Sequence, residues 1–360
     1  MKTLKNFFIL VINPGSTSTK TAVFCGREEI FSEEIIHSND EMAGYSGIMD
    51  QEDFRRGLIE EMLKRKNFSL KELDAVVGRG GVLHPMPGGT YAVSNRMIED
   101  LKNGRFGQHA SNLGAVLARS LADPHGIPSF IVDPVTVDEM DEVARISGLP
   151  EITRISIFHA LNQKAVARQA SRDLNREYET SRLIVVHMGG GISVGVHRNG
   201  RVVDVNNALN GDGPFAPTRT GGLPAGALVG LAFSGVYSEE EFAGKISRRG
   251  GMTAYLGTSD LRDVRKRIKG GDNKAELVLD AMVYQVSKEI GACAAVLEGA
   301  VDAVVLTGGM ARDEEFVRQI KQRISFIASV LVYPGSREME ALALGAERVL
   351  CGEEQAKTYE

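Results

Sequence analysis

The first strong pattern in the chain is Phe7-Phe8-Ile9-Leu10-Val11-Ile12, six apolar residues in succession, as in a strand buried on both faces. A turn cluster follows, Asn13-Pro14-Gly15-Ser16-Thr17-Ser18-Thr19, then a return strand over 20–24 and a third over 29–36. This is a β-meander. Residues 53–66 place Phe54, Leu58, Ile59, Met62 and Leu63 at helical spacing. Short buried strands are predicted over 74–77 and 129–132, and helices over 108–121 and 159–174. The pattern then restarts. Strands over 183–186, 192–197 and 201–205 form a second meander, turning at His187-Met188-Gly189-Gly190-Gly191 and at Asn199-Gly200. A long helix over 274–298, a strand over 302–306, a helix from Asp313 and a last helix over 338–350 complete the series.

The two halves correspond. Val11-Ile12-Asn13-Pro14-Gly15 aligns with Val185-Val186-His187-Met188-Gly189, 174 residues later. Asp74-Ala75-Val76-Val77 with Gly80-Gly81 aligns with Asp302-Ala303-Val304-Val305 with Gly308-Gly309. Two matches in the same order, each at a strand-to-turn junction, indicate a duplicated α/β domain. The expected domains are 1–165 and 166–360, with helix 338–350 able to pack back on the first.

Composition narrows the class. Of 360 residues, 43% are hydrophobic and 25% charged, which excludes disorder as the main state. A net charge of −5 gives no sign of nucleic acid or an anionic membrane as a principal partner, and the basic run over 262–269 reads as a solvated helix face. Cys25, Cys293 and Cys351 are too sparse for a disulfide framework, so a reducing cytoplasmic location is expected. The opening Met1-Lys2-Thr3-Leu4-Lys5-Asn6 and its short apolar run do not suit a signal peptide, and no apolar stretch reaches membrane-spanning length without a charge. Glycine is in excess, 40 residues, with 15 of them between Gly189 and Gly251.

Three loops are candidates for chemistry. The turn from Asn13 to Lys20 offers hydroxyls and amides suited to phosphate oxygens. It is not a Walker A loop, because Thr19 stands where glycine is required before the lysine and a strand follows instead of a helix. Gly189-Gly190-Gly191 removes side chains from the matching turn, so a phosphate can approach the amides. Gly308-Gly309-Met310, between a strand and a helix, can let a nucleoside lie against the backbone.

These loops, together with Gly78-Arg79-Gly80-Gly81, Arg154-Ile155-Ser156-Ile157-Phe158-His159-Ala160 and Pro217-Thr218-Arg219-Thr220-Gly221-Gly222, carry a resemblance to the acetokinase family of the acetate and sugar kinase/Hsp70/actin superfamily. The likeness runs over essentially the whole chain. It implies an α/β fold of duplicated ribonuclease H-like, actin/Hsp70-like domains facing across a nucleotide cleft. It implies reversible phosphoryl transfer from ATP to a short-chain carboxylate, giving ADP and an acyl phosphate, with Mg2+.

The resemblance also implies roles. Arg79, Asp133, His159 and Arg219 are the catalytic candidates, and Arg79 with His109 the substrate-binding ones. Asn13, Gly15, Ser16, Thr17, Ser18, His187, Gly189, Gly190, Gly191, Gly308, Gly309 and Met310 are expected at the nucleotide. Asn13, Asp133 and Glu340 are expected at the metal, with Glu338 two residues away as the alternative to Glu340. A guanidinium suits bidentate grip of a carboxylate. Pro134 is expected to keep Asp133 extended at its strand end. His37, His84, His125 and His197 read as structural or solvated. A homo-oligomer is expected. The rivals are another kinase of the superfamily, such as a sugar kinase, and an actin- or Hsp70-like binding protein. The preferred acid stays open, since one methylene in an apolar pocket is worth only about 1–3 kcal/mol.

Overall fold

A computed structural model describes residues 6–360. The reading of the opening residues 1–5 as no signal segment lies outside the described residues. The chain divides into two compact units, residues 6–137 with Arg337–Glu360, and Asp138–Ser336.

The first unit is built on β1 (Phe8–Pro14), β2 (Ser18–Cys25), β3 (Glu28–Ile36), β4 (Ala75–Arg79), β5 (Thr90–Ala92) and β6 (Ser129–Val132), in the order β3-β2-β1-β4-β6-β5. Strands β1, β4 and β6 are parallel, pairing Ile12 with Gly78 and Arg79 with Val132. That register brings Asn13, Arg79 and Asp133 to the C-terminal ends of three neighbouring strands, the usual ligand side of such sheets. Leu10, Ile12 and Val76 pack under Ile59, Met62 and Leu63 of helix Glu52–Arg65 and Leu113 and Leu117 of helix Asn112–Ala122. Successive strand residues point to opposite faces. Ile131 packs with Ala115, whereas Val132 lies against Gly345 of helix Glu338–Leu350, so the sheet is covered on both sides.

The second unit repeats the plan. Its strands are β7 (Arg182–Met188), β8 (Ile192–Arg198), β9 (Arg201–Val205), β10 (Ala303–Gly308) and β11 (Val330–Pro334), ordered β11-β10-β7-β8-β9. Reversed, this is the arrangement of β3-β2-β1-β4-β6. Ile184, Val186 and Leu306 face helix Asn273–Val296, while Leu183, Val185 and Val305 face helix Ala160–Asp173.

The expected boundary at 165/166 is corrected, because it falls inside helix Ala160–Asp173. That helix ends the first sequence copy but covers the sheet of the second unit. Helix Glu338–Leu350 ends the second copy but covers the sheet of the first. The division therefore comes at Val137 and Asp138, since each sheet buries its second face with the other copy's last helix. The helix expected from residue 108 begins at Asn112, after a turn in which His109 O accepts from Asn112 N. Among the described residues, no helix is long and apolar enough to cross a membrane.

Candidate active site

In the first unit, the strand-end register becomes side-chain contact. Arg79 Nη1 lies 3.3 Å from Asn13 Oδ1 and 3.3 Å from Glu338 Oε2, and Asn13 Nδ2 donates to Glu338 Oε2 at 3.0 Å. Glu340 instead faces Arg337 at 3.7 Å. Of the two carboxylates named as alternatives for the metal, Glu338 is the one that reaches Asn13, and Glu340 is turned to Arg337. Two residues on a helix are about 200° apart, so only one of the pair can reach Asn13.

Two glycines set the position of Arg79. A Cβ on Gly78 would lie 2.0 Å from Gly114 O, and one on Gly114 would lie 2.1 Å from Arg79 O. The backbones of β4 and helix Asn112–Ala122 are therefore in contact. His109 and Ser111 stand just ahead of this helix, with His109 Nδ1 2.8 Å from Ser111 Oγ. Packing around the ring, and then the Arg79 charge, hold the His109 pKa below its ordinary value.

Asp133 is buried but not extended, which corrects the expectation drawn from Pro134. Its φ is 38°, in the left-handed region, and it exchanges hydrogen bonds with Gly89: Asp133 N to Gly89 O at 3.0 Å, and Gly89 N to Asp133 Oδ1 at 2.7 Å. The reciprocal pair turns the backbone and holds a conformation that costs about 1–3 kcal/mol in a non-glycine residue.

Beneath the Asn13–Thr19 turn lies Arg55, 1% exposed, which the apolar spacing over 53–66 does not single out. Its guanidinium donates to Gly15 O at 2.9 Å, Ser18 O at 3.2 Å, Ser16 O at 3.4 Å and Thr19 Oγ1 at 2.9 Å, and to Gln51 Oε1. Burial brings its pKa down to about 10. The available signal was an arginine four residues before Ile59, on the buried face of its helix. Ser16 and Thr17 are exposed at the turn, while the Ser18 hydroxyl is engaged with Glu34 Oε1 at 2.8 Å.

In the second unit, His187 on β7 pairs with Ser193 on β8 across the glycine turn. His159, at the start of helix Ala160–Asp173, stacks on His187 with ring centres 3.8 Å apart and planes within 9°. Its Nδ1 is 2.9 Å from Ser193 Oγ. His187 Nδ1 is 2.7 Å from Asn162 Oδ1, and burial, reinforced by the Arg219 charge, lowers its pKa to about 4. It is neutral at physiological pH.

The three glycines are not equivalent. A Cβ on Gly191 would lie 1.8 Å from Arg219 Nη1, so this glycine is the bed on which the guanidinium rests. Arg219 Nη1 also donates to Ala208 O at 2.6 Å. Gly190 is the open one, its carbonyl accepting from Thr218 N and Oγ1. Gly308 has φ 91° and backs onto Met188, Met310 is buried, and Gly309 is exposed with nothing within 4 Å of a Cβ placed there.

The residues present suit an anion and a hard cation. Arg219 Nε and Asn162 Nδ2 are buried donors without a hydrogen-bond partner, suited to an anion. Asn13 and Glu338 offer hard oxygen donors. Among the described residues no three His, Cys, Asp or Glu side chains cluster.

The family model described as "Acetokinase family" matches residues 151–340. Over 98% of its length the chain is 53% identical to a protein named "Butyrate kinase 2" of Clostridium acetobutylicum, covering 99% of that protein. It is 53% identical to a "Probable butyrate kinase" of Clostridium botulinum, covering 98% of this chain and 100% of that one. The fold matches the crystal structure of Porphyromonas gingivalis acetate kinase with a TM-score of 0.78 at 21% identity, over 96% of this chain and 100% of that one.

Proposed function

Because the chain belongs to the acetokinase family, a family of ATP-dependent carboxylate kinases, we propose that it catalyses the reaction of a butyrate kinase: reversible phosphorylation of butyrate or a similar short acid by ATP, giving an acyl phosphate. The Arg79–Asn13–Glu338 cluster is the observation that carries this reading. It offers a guanidinium to a carboxylate beside oxygen donors suited to a metal, at a strand-end position.

Such transfer asks the protein for alignment and for positive charge around the moving phosphoryl group. Arg79 is 37% exposed in its pair with Glu338, a contact of modest strength that an incoming carboxylate can replace. His109 lies beside it and is biased to the neutral form. Arg219, bedded on Gly191, supplies charge to the phosphoryl oxygens, and His159 donates a hydrogen bond to them. The amides of the Gly189–Gly191 turn, with His187, and those of the turn from Asn13 through Gly15, Ser16 and Thr17 to Ser18 hold phosphates. Gly308, Gly309 and Met310 form the adenosine platform.

Asn13 and Glu338 would hold Mg2+, with Asp133 orienting the neighbouring backbone, and the ion, when bound, would draw charge from the phosphate oxygens. The three unpaired cysteines support a cytoplasmic location, and assembly with further copies of the chain belongs to the same reading.

The test is hydroxamate trapping with ATP, magnesium and acids of two to six carbons. Acyl hydroxamate is expected, with the highest kcat/KM for a four-carbon or branched acid. Absence of product with every acid overturns the proposal.

A further inference from the structure

His159 is one end of a buried chain of polar groups, and one atom in that chain fixes the direction of all the others. A backbone carbonyl can only accept a hydrogen bond. Ser193 O takes one from Gln163 Nε2 at 3.0 Å, which determines the end of the Gln163 amide that is nitrogen. The same nitrogen donates to Ser193 Oγ at 2.8 Å. Ser193 is fully buried, and the other neighbour of its hydroxyl is His159 Nδ1, so the hydroxyl hydrogen goes to that ring nitrogen. At the far end of the amide, Gln163 Oε1 must accept, and its partner is His197 Nε2 at 3.1 Å. His197 Nδ1 then accepts from the Tyr178 hydroxyl at 2.8 Å. Burial, with Lys164 and Arg168 nearby, keeps His197 neutral, as this direction requires.

We infer that Gln163 and Ser193, backed by His197 and Tyr178, form a one-way hydrogen-bond relay that locks the neutral His159 ring in the tautomer with its proton on Nε2. His187 takes the opposite tautomer, its Nδ1 donating to Asn162 Oδ1. The stacked pair therefore carries one ring with Nε2–H and one with Nε2 as an acceptor. A sequence feature is explained as well. Gly195 lies in the middle of β8, where glycine is ordinarily unfavourable. A Cβ there would lie 2.3 Å from Gln163 Oε1, so the bare residue makes room for the relay.

The relay deepens the proposed function and rests on it for one purpose: a neutral Nε2–H is a hydrogen-bond donor that needs no acid pH to act on phosphoryl oxygens. Ser193 and Gln163 are positioning residues, acting through His159.

The decisive experiment reads the tautomers directly, by ring-15N NMR of the histidine-labelled wild-type protein near neutral pH. The expected result is His159 with a protonated Nε2 and an unprotonated Nδ1, and His187 with the reverse. A His159 protonated on Nδ1, or averaging between both forms, overturns the relay, whether or not the protein makes acyl phosphate. The functional arm uses Ser193→Ala, expected to lower kcat about 10²-fold with KM for ATP and acid unchanged. Made in a His159→Ala background, the same change is expected to cost nothing further. An equal kcat loss in both backgrounds means that Ser193 acts structurally and overturns the positioning role. Wild-type protein that forms no acyl phosphate, with the tautomers as stated, removes the kinase reading and leaves the relay standing.

Discussion

The β1–β2 turn of the first unit and the β7–β8 turn of the second are copies of one motif, yet opposite devices shape them. In the first, side chains do the work: Arg55 is buried beneath the loop and gathers the carbonyls of Gly15, Ser16 and Ser18. In the second, the absence of side chains does it: Arg219 lies on the bare backbone of Gly191. The buried cation of one copy is a scaffold, bonded to the loop itself. The cation of the other keeps an unpartnered Nε and is available to a ligand. Duplication conserved the sheet and let the two loops divide these tasks.

Removing Arg55 should have the largest effect on this contrast. Arg55→Ala leaves several buried acceptors unmet and is expected to cost about 3 kcal/mol of stability, read by urea unfolding. A loss below about 1 kcal/mol would mean that the turn holds itself. Gly191→Ala should come next. Its methyl occupies the place of the Arg219 guanidinium, so kcat should fall about 10²-fold while the protein remains folded by circular dichroism.

The stacked histidines of the second unit offer a pH test. The native pKa of His187 is about 4, against an ordinary 6.5, so the unfolded chain takes up its proton first as pH falls. The stability due to this group is present above pH 6.5 and is lost as pH falls towards 4, about 2 kcal/mol being gone by pH 5. Unfolding free energies from pH 7 to 5 check this, and the slope should shrink in His187→Gln. The smallest effect belongs to Gly309→Ala. A Cβ there meets nothing, so stability should stay within about 0.5 kcal/mol while KM for ATP rises if a nucleoside rests on that backbone.

The meanders, the duplication and the strand-end loops were legible because buried strands and glycine turns leave local patterns. The short edge strand Thr90–Ala92 left none, being three residues long. The unit boundary was hidden for a different reason. Periodicity shows that Ala160–Asp173 is a helix, but not which sheet it covers. At the site, Arg79 and Arg219 stood out beside glycines, whereas Ser193, Gln163 and Arg55 did not. Each is a common polar residue inside a regular element, and its meaning comes from partners 30 or more positions away. Which of Glu338 and Glu340 reaches Asn13 likewise depends on the rotation of a helix about its axis.

The central claim is that Arg79 presents a carboxylate for phosphorylation. It is tested most directly by 31P NMR of ATP, magnesium and butyrate with wild-type protein and Arg79→Ala side by side. The account predicts an acyl-phosphate resonance growing with the wild type and absent with the variant, which still binds ATP. Equal acyl-phosphate formation by both would contradict it.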